Sequence, residues 1–158
     1  MKRLILSVGC LFAALGLVPA AQAQMVTSQS PASVAAAMQS AGFRAEVTTD
    51  DTGDPMIRSS SGGSAFAVFF YGCTKNTACT TVQFFAGYSE PGNASLSRLN
   101  EWNTTARFAR AYLTDKGAAR IEMDLDLDVG GMSRQLFLDN LSVWTVLMSK
   151  FEKHIAKE

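Results

Sequence analysis

Hydrophobic positions recur at three- and four-residue spacing in three stretches of this chain and alternate with polar ones in five others. Ser30-Pro31 opens the first helix, since Ser can cap and Pro suits the first helical position. Val34, Met38 and Ala41 share a face, and Gly42 ends the helix. A second helix is predicted from Ser95 to Lys116, with Leu99, Trp102, Ala106, Ala109 and Leu113 as its stripe and Gly117 as its stop. The third begins after Ser133 and runs to Ile155 on Phe137, Leu141, Trp144, Met148, Phe151 and Ile155.

Strands are predicted over 43–49, 56–59, 64–72, 80–88 and 120–129. The first two flank the dense turn signal Asp50-Asp51-Thr52-Gly53-Asp54-Pro55, and Ser61-Gly62-Gly63 turns the chain again. Residues 24–30 read as a polar, flexible start. The order is α-β-β-β-β-α-β-α, an α+β single domain with an antiparallel sheet of about five strands and three helices.

One pair of strands breaks the usual pattern. Phe66, Val68 and Phe70 point to one face of the sheet, yet Ala67, Phe69 and Tyr71 point to the other. On the partner strand Val82, Phe84, Ala86 and Tyr88 share a face, with Phe85 opposite. A half-exposed sheet shows clean alternation, so something is expected to cover the second face. Either the first helix or a loop of the same chain does so, or a partner or second subunit packs over Phe69, Tyr71 and Phe85.

The N-terminus changes the setting. Lys2-Arg3 precedes an uncharged apolar run from Leu4 to Val18, and Ala21-Gln22-Ala23 supplies small residues for cleavage. This reads as a secretory signal over residues 1–23, too short for a membrane span of about 20 apolar residues. Removing 23 of 158 residues leaves a domain of 135, residues 24–158. Lys2 and Arg3 leave with it, so twelve basic residues face fourteen acidic ones, a net charge of −2. That balance argues against nucleic acid and anionic membrane surfaces. No later apolar run is long enough to span a bilayer. The expected location is the bacterial periplasm or the medium.

Cys10 lies within the signal, and Ser7 stands where a lipoprotein would carry a Leu-like residue. Cys73 and Cys79 remain, an even count that an exported chain pairs as a disulfide. It would clamp the end of the 64–88 hairpin.

Candidate chemistry is sparse. Glu122, Asp124, Asp126 and Asp128 alternate with Met123, Leu125, Leu127 and Val129. A calcium-loop reading fails at Val129, where Gly is needed, and at Gln135, where Glu is needed. A strand with a solvated acidic face and a buried aliphatic one explains the alternation, with a weak surface cation site as the alternative. Asn103 beside Trp102 reads as a hydrogen-bonding partner of a neighbouring strand or loop. His154 has no evident partner, and neither a Gly-x-Ser-x-Gly nor a phosphate loop is present. No catalytic, metal or cofactor site is expected.

Leu99-Asn100-Glu101-Trp102-Asn103, then Arg107-Phe108-Ala109-Arg110-Ala111-Tyr112, then Met123-Asp124-Leu125-Asp126-Leu127 ahead of Gly130-Gly131 resembles the YbjN family. The helix ending at Gly42 and the Gly53-Asp54-Pro55 turn fit the same pattern, so the resemblance covers nearly all of 30–155. It implies a bacterial sensory-transduction regulator with a fold similar to type III secretion chaperones, which are α+β and often dimeric. It carries over no catalytic residues. Trp102, Asn103, Asp124, Asp126, Gly130 and Gly131 are its motif positions, read as structural.

The expectation is therefore a non-enzymatic, exported, chaperone-like adaptor acting on an unknown protein partner or on a second copy. The alternative is a carrier with an apolar pocket lined by Phe66, Phe70, Phe84 and Trp102, residues that equally read as plain core.

Overall fold

A computed structural model of the protein describes residues 25–156. The predicted signal and Cys10 lie outside the described residues.

Turn chemistry builds the sheet. Asp50 Oδ1 accepts from the backbone N–H of Thr52 at 2.8 Å and of Asp54 at 3.0 Å, and Gly53 takes the left-handed φ of 89° that the turn requires. This turn joins β2 (Glu46–Thr49) to β3 (Pro55–Ser61). A Gly62-Gly63 turn leads to β4 (Ser64–Tyr71), and β5 (Thr81–Tyr88) follows. Cys73 and Cys79 are disulfide-bonded across that last connection. Its Asn76 amide donates to Asp54 Oδ1 at 2.9 Å, tying the loop to the Asp50–Asp54 turn.

Among the described residues the main sheet has six strands, in the order β2-β3-β4-β5-β7-β6, all antiparallel, where β6 is Arg110–Leu113 and β7 is Ala119–Asp126. A second, two-stranded pairing joins β1 (Met25–Val26) to β8 (Met132–Ser133). The start of the described chain is thus docked, contrary to the flexible reading of 24–30. Val26 is buried, and the buried Ser28 hydroxyl donates to the Cys79 carbonyl at 2.6 Å. The approach is close enough that a Cβ at Gly131 would lie 2.1 Å from the Val26 carbonyl oxygen.

The helices are α1 (Pro31–Ser40), α2 (Leu96–Thr105) and α3 (Arg134–Ile155). Ser95 and Ser133 cap α2 and α3, their side chains accepting from Arg98 and Leu136 N–H. All six stripe residues of α3 are buried. Trp144 stacks on Phe84 at 5.7 Å and meets Phe66 at 6.1 Å, while Phe137 lies 6.1 Å from Phe84. Val34 and Met38 of α1 are fully buried in the same core, whereas Ala41 is exposed beyond the helix end.

The long helix expected over Ser95–Lys116 is corrected: α2 stops at Thr105. Asn103-Thr104-Thr105 is a run of weak helix formers, and both Thr hydroxyls bond back to the Glu101 carbonyl. Ala106 is extended and Phe108 left-handed at φ 74°, which turns the chain into β6. Leu99 and Trp102 are therefore core residues of α2, whereas Leu113 closes a strand. Strand β7 also ends early. Val129 is 96% exposed in the following loop rather than part of the buried row.

Candidate interaction surface

Strand register fixes which residues share each face. Ile57, Val68, Phe84 and Met123 lie in one row across β3, β4, β5 and β7, beneath the helices. The other face carries the row Met56, Phe69, Gln83, Asp124 and, beside it, the row Arg58, Ala67, Phe85, Glu122, Arg110. The buried residues of all three helices belong to the core on the first face, α1 included. The expected cover of the second face by α1 is therefore absent among the described residues, and that face is open.

Aromatic rings occupy its β4–β5 part. Phe69 meets Phe85 edge-on at 5.4 Å and Tyr71 at 6.3 Å. Phe69 and Phe85 are half-buried, and Tyr71 is 44% exposed. The Arg120 guanidinium lies over the Phe85 ring at 5.1 Å. Gly87 makes room for it, because a Cβ there would sit 1.7 Å from an Arg120 nitrogen. A depression of about 300 Å³ lies between Met56, Arg58, Ala65, Phe85 and Arg120.

The neighbouring part is polar and self-paired. Arg110 bridges Glu122 at 2.7 Å and also pairs with Asp124. The Tyr112 hydroxyl donates to Glu122 at 2.7 Å, and the Gln83 amide donates to Asp124 at 2.8 Å. The solvated acidic face expected of 122–128 is thus corrected at Glu122, which is buried under Arg110 and Tyr112. The bond to Asp124, with the carboxylates beside it, raises the Arg110 pKa. Burial, reinforced by Glu122, raises those of Tyr71 and Tyr112. Asp126 accepts from the Asp128 N–H at 2.9 Å. Among the described residues no group of three His, Cys, Asp or Glu side chains is placed to hold a metal.

Gln83, Arg110, Tyr112 and Arg120 belong to this face, a place that the sequence reading does not assign to them. Their signal was the alternation of Arg110 and Tyr112 with Ala111 and Leu113, which is a strand's pattern lying within a supposed helix.

Of the motif residues, Asp124 and Asp126 belong to this face, and the others lie elsewhere in the fold. Trp102 packs on Phe151 at 5.1 Å. Asn103 donates its amide to the Ala111 carbonyl at 2.9 Å and accepts from the Ala111 N–H at 2.8 Å. It so takes the place of a further strand along the β6 edge. His154 Nε2 contacts the Arg98 carbonyl at 2.7 Å, and Arg98 donates back to the His154 carbonyl at 3.0 Å, which docks α2 on α3. Gly130 and Gly131 carry the positive φ of the turn before β8. Phe66, Phe70, Phe84 and Trp102 are packed core, each at most 5% exposed, and do not line one ligand pocket.

Residues 30–157 match the model of the YbjN family, described as "putative bacterial sensory transduction regulator". No curated protein matches the sequence. Among solved structures, the Yersinia pestis type III secretion chaperone SycH, in complex with a stable fragment of YscM2, is similar with a TM-score of 0.51. The match is 14% identical and covers 79% of this chain and 97% of that one, a likeness of fold.

Proposed function

The chain belongs to the YbjN family, and on that footing we propose that it is a non-enzymatic, exported, chaperone-like adaptor that works by protein contact. The observation that carries the reading is the helix-free sheet face with Phe69, Tyr71 and Phe85 at its surface. Six strands about 4.8 Å apart, the longest of eight residues, give a face on the order of 600 Å². A standard interface takes about 800 Å² per partner. Large aromatic side chains beside an arginine are the groups that dominate binding energy at such surfaces. Arg110, Glu122 and Asp124 already satisfy one another, so a partner is recognised chiefly through the aromatic half.

SycH offers a parallel: it shares this fold and was solved holding a protein fragment. The partner here is a second protein or a second copy of the chain. The Cys73–Cys79 disulfide supports a place of work outside the cytoplasm, where such bonds persist. Regulation by this route would follow from occupancy of the face.

The test is native mass spectrometry of the protein gently isolated from its own host, as wild type and as Phe85→Asp. The expected wild-type species is a complex with a second protein or a dimer. Phe85→Asp, folded by circular dichroism, is expected alone. A bare wild-type monomer, or a complex that survives Phe85→Asp, contradicts the reading.

A further inference from the structure

A second concavity lies where the α2–β6 connection faces α3, and it shares no residue with the open sheet face. Its volume is about 800 Å³, within the range of small-molecule sites. Trp102, Phe108, Val143, Val146 and Leu147 give it apolar walls. Arg107, Lys150, Lys153 and His154 also line it, and no carboxylate among the described residues does. None of the three fixed cations forms an ion pair with a described residue.

The two characters are separated along α3. Val143, Val146 and Leu147 come first, and Lys150, Lys153 and His154 follow toward the helix end. From Val143 to Lys153 the helix rises about 15 Å, the length of an extended chain of roughly a dozen carbons. The apolar end is open to solvent: Phe108 is 65% and Val146 50% exposed. Phe108 is held there at φ 74°, a conformation a bulky aromatic adopts only where its surroundings impose it. Trp102 adds a buried indole N–H without an acceptor among the described residues.

We propose that this groove binds a single-chain anionic amphiphile of the fatty-acid type. The tail lies on Phe108, Val143 and Val146, and the carboxylate lies between Lys150 and Lys153. Charge complementarity selects the occupant: an apolar trough, with Arg107 over its Phe108 ring at 4.9 Å and ending at Lys150 and Lys153, neither ion-paired with a described residue, fits a chain with one acidic end. The site is independent of the sheet face, so its failure would leave the adaptor reading untouched.

The probe is dodecanoate below its micellar concentration, titrated into the full protein. Binding is read by calorimetry and by the fluorescence of Trp102, with the fully buried Trp144 as the insensitive background. Saturable one-to-one binding is expected. Val146→Asp, at an exposed position, should abolish it. Lys150→Glu with Lys153→Glu should weaken dodecanoate by about tenfold or more, the loss of charge-assisted bonds, and should create binding of dodecyltrimethylammonium. Circular dichroism verifies that both variants are folded. No saturable binding, unchanged affinity in Val146→Asp, or equal wild-type affinity for the cationic amphiphile would each overturn the proposal.

Discussion

Phe84 and Phe85 are consecutive residues on one strand, and truncating each to alanine should have very different costs. Phe84 is fully buried, stacked on Trp144 and in ring contact with Phe66 and Phe137. Removing a ring so enclosed costs about 3–5 kcal/mol, from lost transfer energy and from the cavity left behind. Phe85 has one aromatic neighbour, Phe69, and one cation above it, Arg120. An aromatic pair contributes about 0.5–1.5 kcal/mol, and an exposed cation–π contact about 0.5–1 kcal/mol. Phe85→Ala should therefore cost about 1–2.5 kcal/mol. With a urea slope near 1.5 kcal/mol/M, the midpoint should fall by about 1 M for Phe85→Ala and by about 2–3 M for Phe84→Ala. Equilibrium urea unfolding followed by circular dichroism measures both. Equal losses would refute the two-faced account, because they would mean that Phe85 is enclosed as deeply as Phe84.

Other expectations follow from single features. Asn103→Ala removes both bonds to Ala111 and should cost about 1–3 kcal/mol; hydrogen exchange should then quicken at the Ala111 amide while the β4–β5 amides stay protected. Reduction of Cys73–Cys79 should lower stability by about 2 kcal/mol, as expected for a loop closed over a separation of six residues. Urea unfolding with and without a phosphine reductant reads this, and a change near zero would show that the loop is held by Asn76 and Ser28 instead. Burial, together with the Glu152 carboxylate, raises the Tyr88 pKa. Its contribution is complete below the ordinary tyrosine value near 10 and is lost as the pH rises beyond that, so stability should fall from about pH 10 upward, less steeply in Tyr88→Phe. Gly87→Ala should push Arg120 off the Phe85 ring and leave the fold intact, visible as a changed ring environment in NMR spectra.

The core was readable because it depends on periodicity. Every stripe residue of α3 is buried, and the two-sided apolar character of 64–88 correctly marked a face needing explanation. Three features escaped, each for a physical reason. The Arg110–Leu113 strand was hidden because Ala109 and Leu113 happen to continue the spacing of Leu99 and Trp102, and pairing with β7 outweighs that pattern. Thr114-Asp115-Lys116-Gly117 was the hairpin signal: the Thr114 N–H donates to the Ala118 carbonyl, and the Ala118 N–H donates back to the Thr114 hydroxyl. Burial of Glu122 requires Arg110 and Tyr112 on the adjacent strand, a neighbour that the helical spacing of 99–113 conceals. The docking of Met25–Val26 depends on pairing with residues more than a hundred positions away, which no local pattern encodes.

The most direct test of the account is photo-crosslinking in the native host, with benzoylphenylalanine placed at Tyr71 on the open face and, separately, at Val129 in the solvent-exposed loop. Partner contact through the sheet predicts a discrete adduct, a second protein or a second copy, from position 71 and none from position 129. No adduct from position 71, or the same adducts from both, would contradict it.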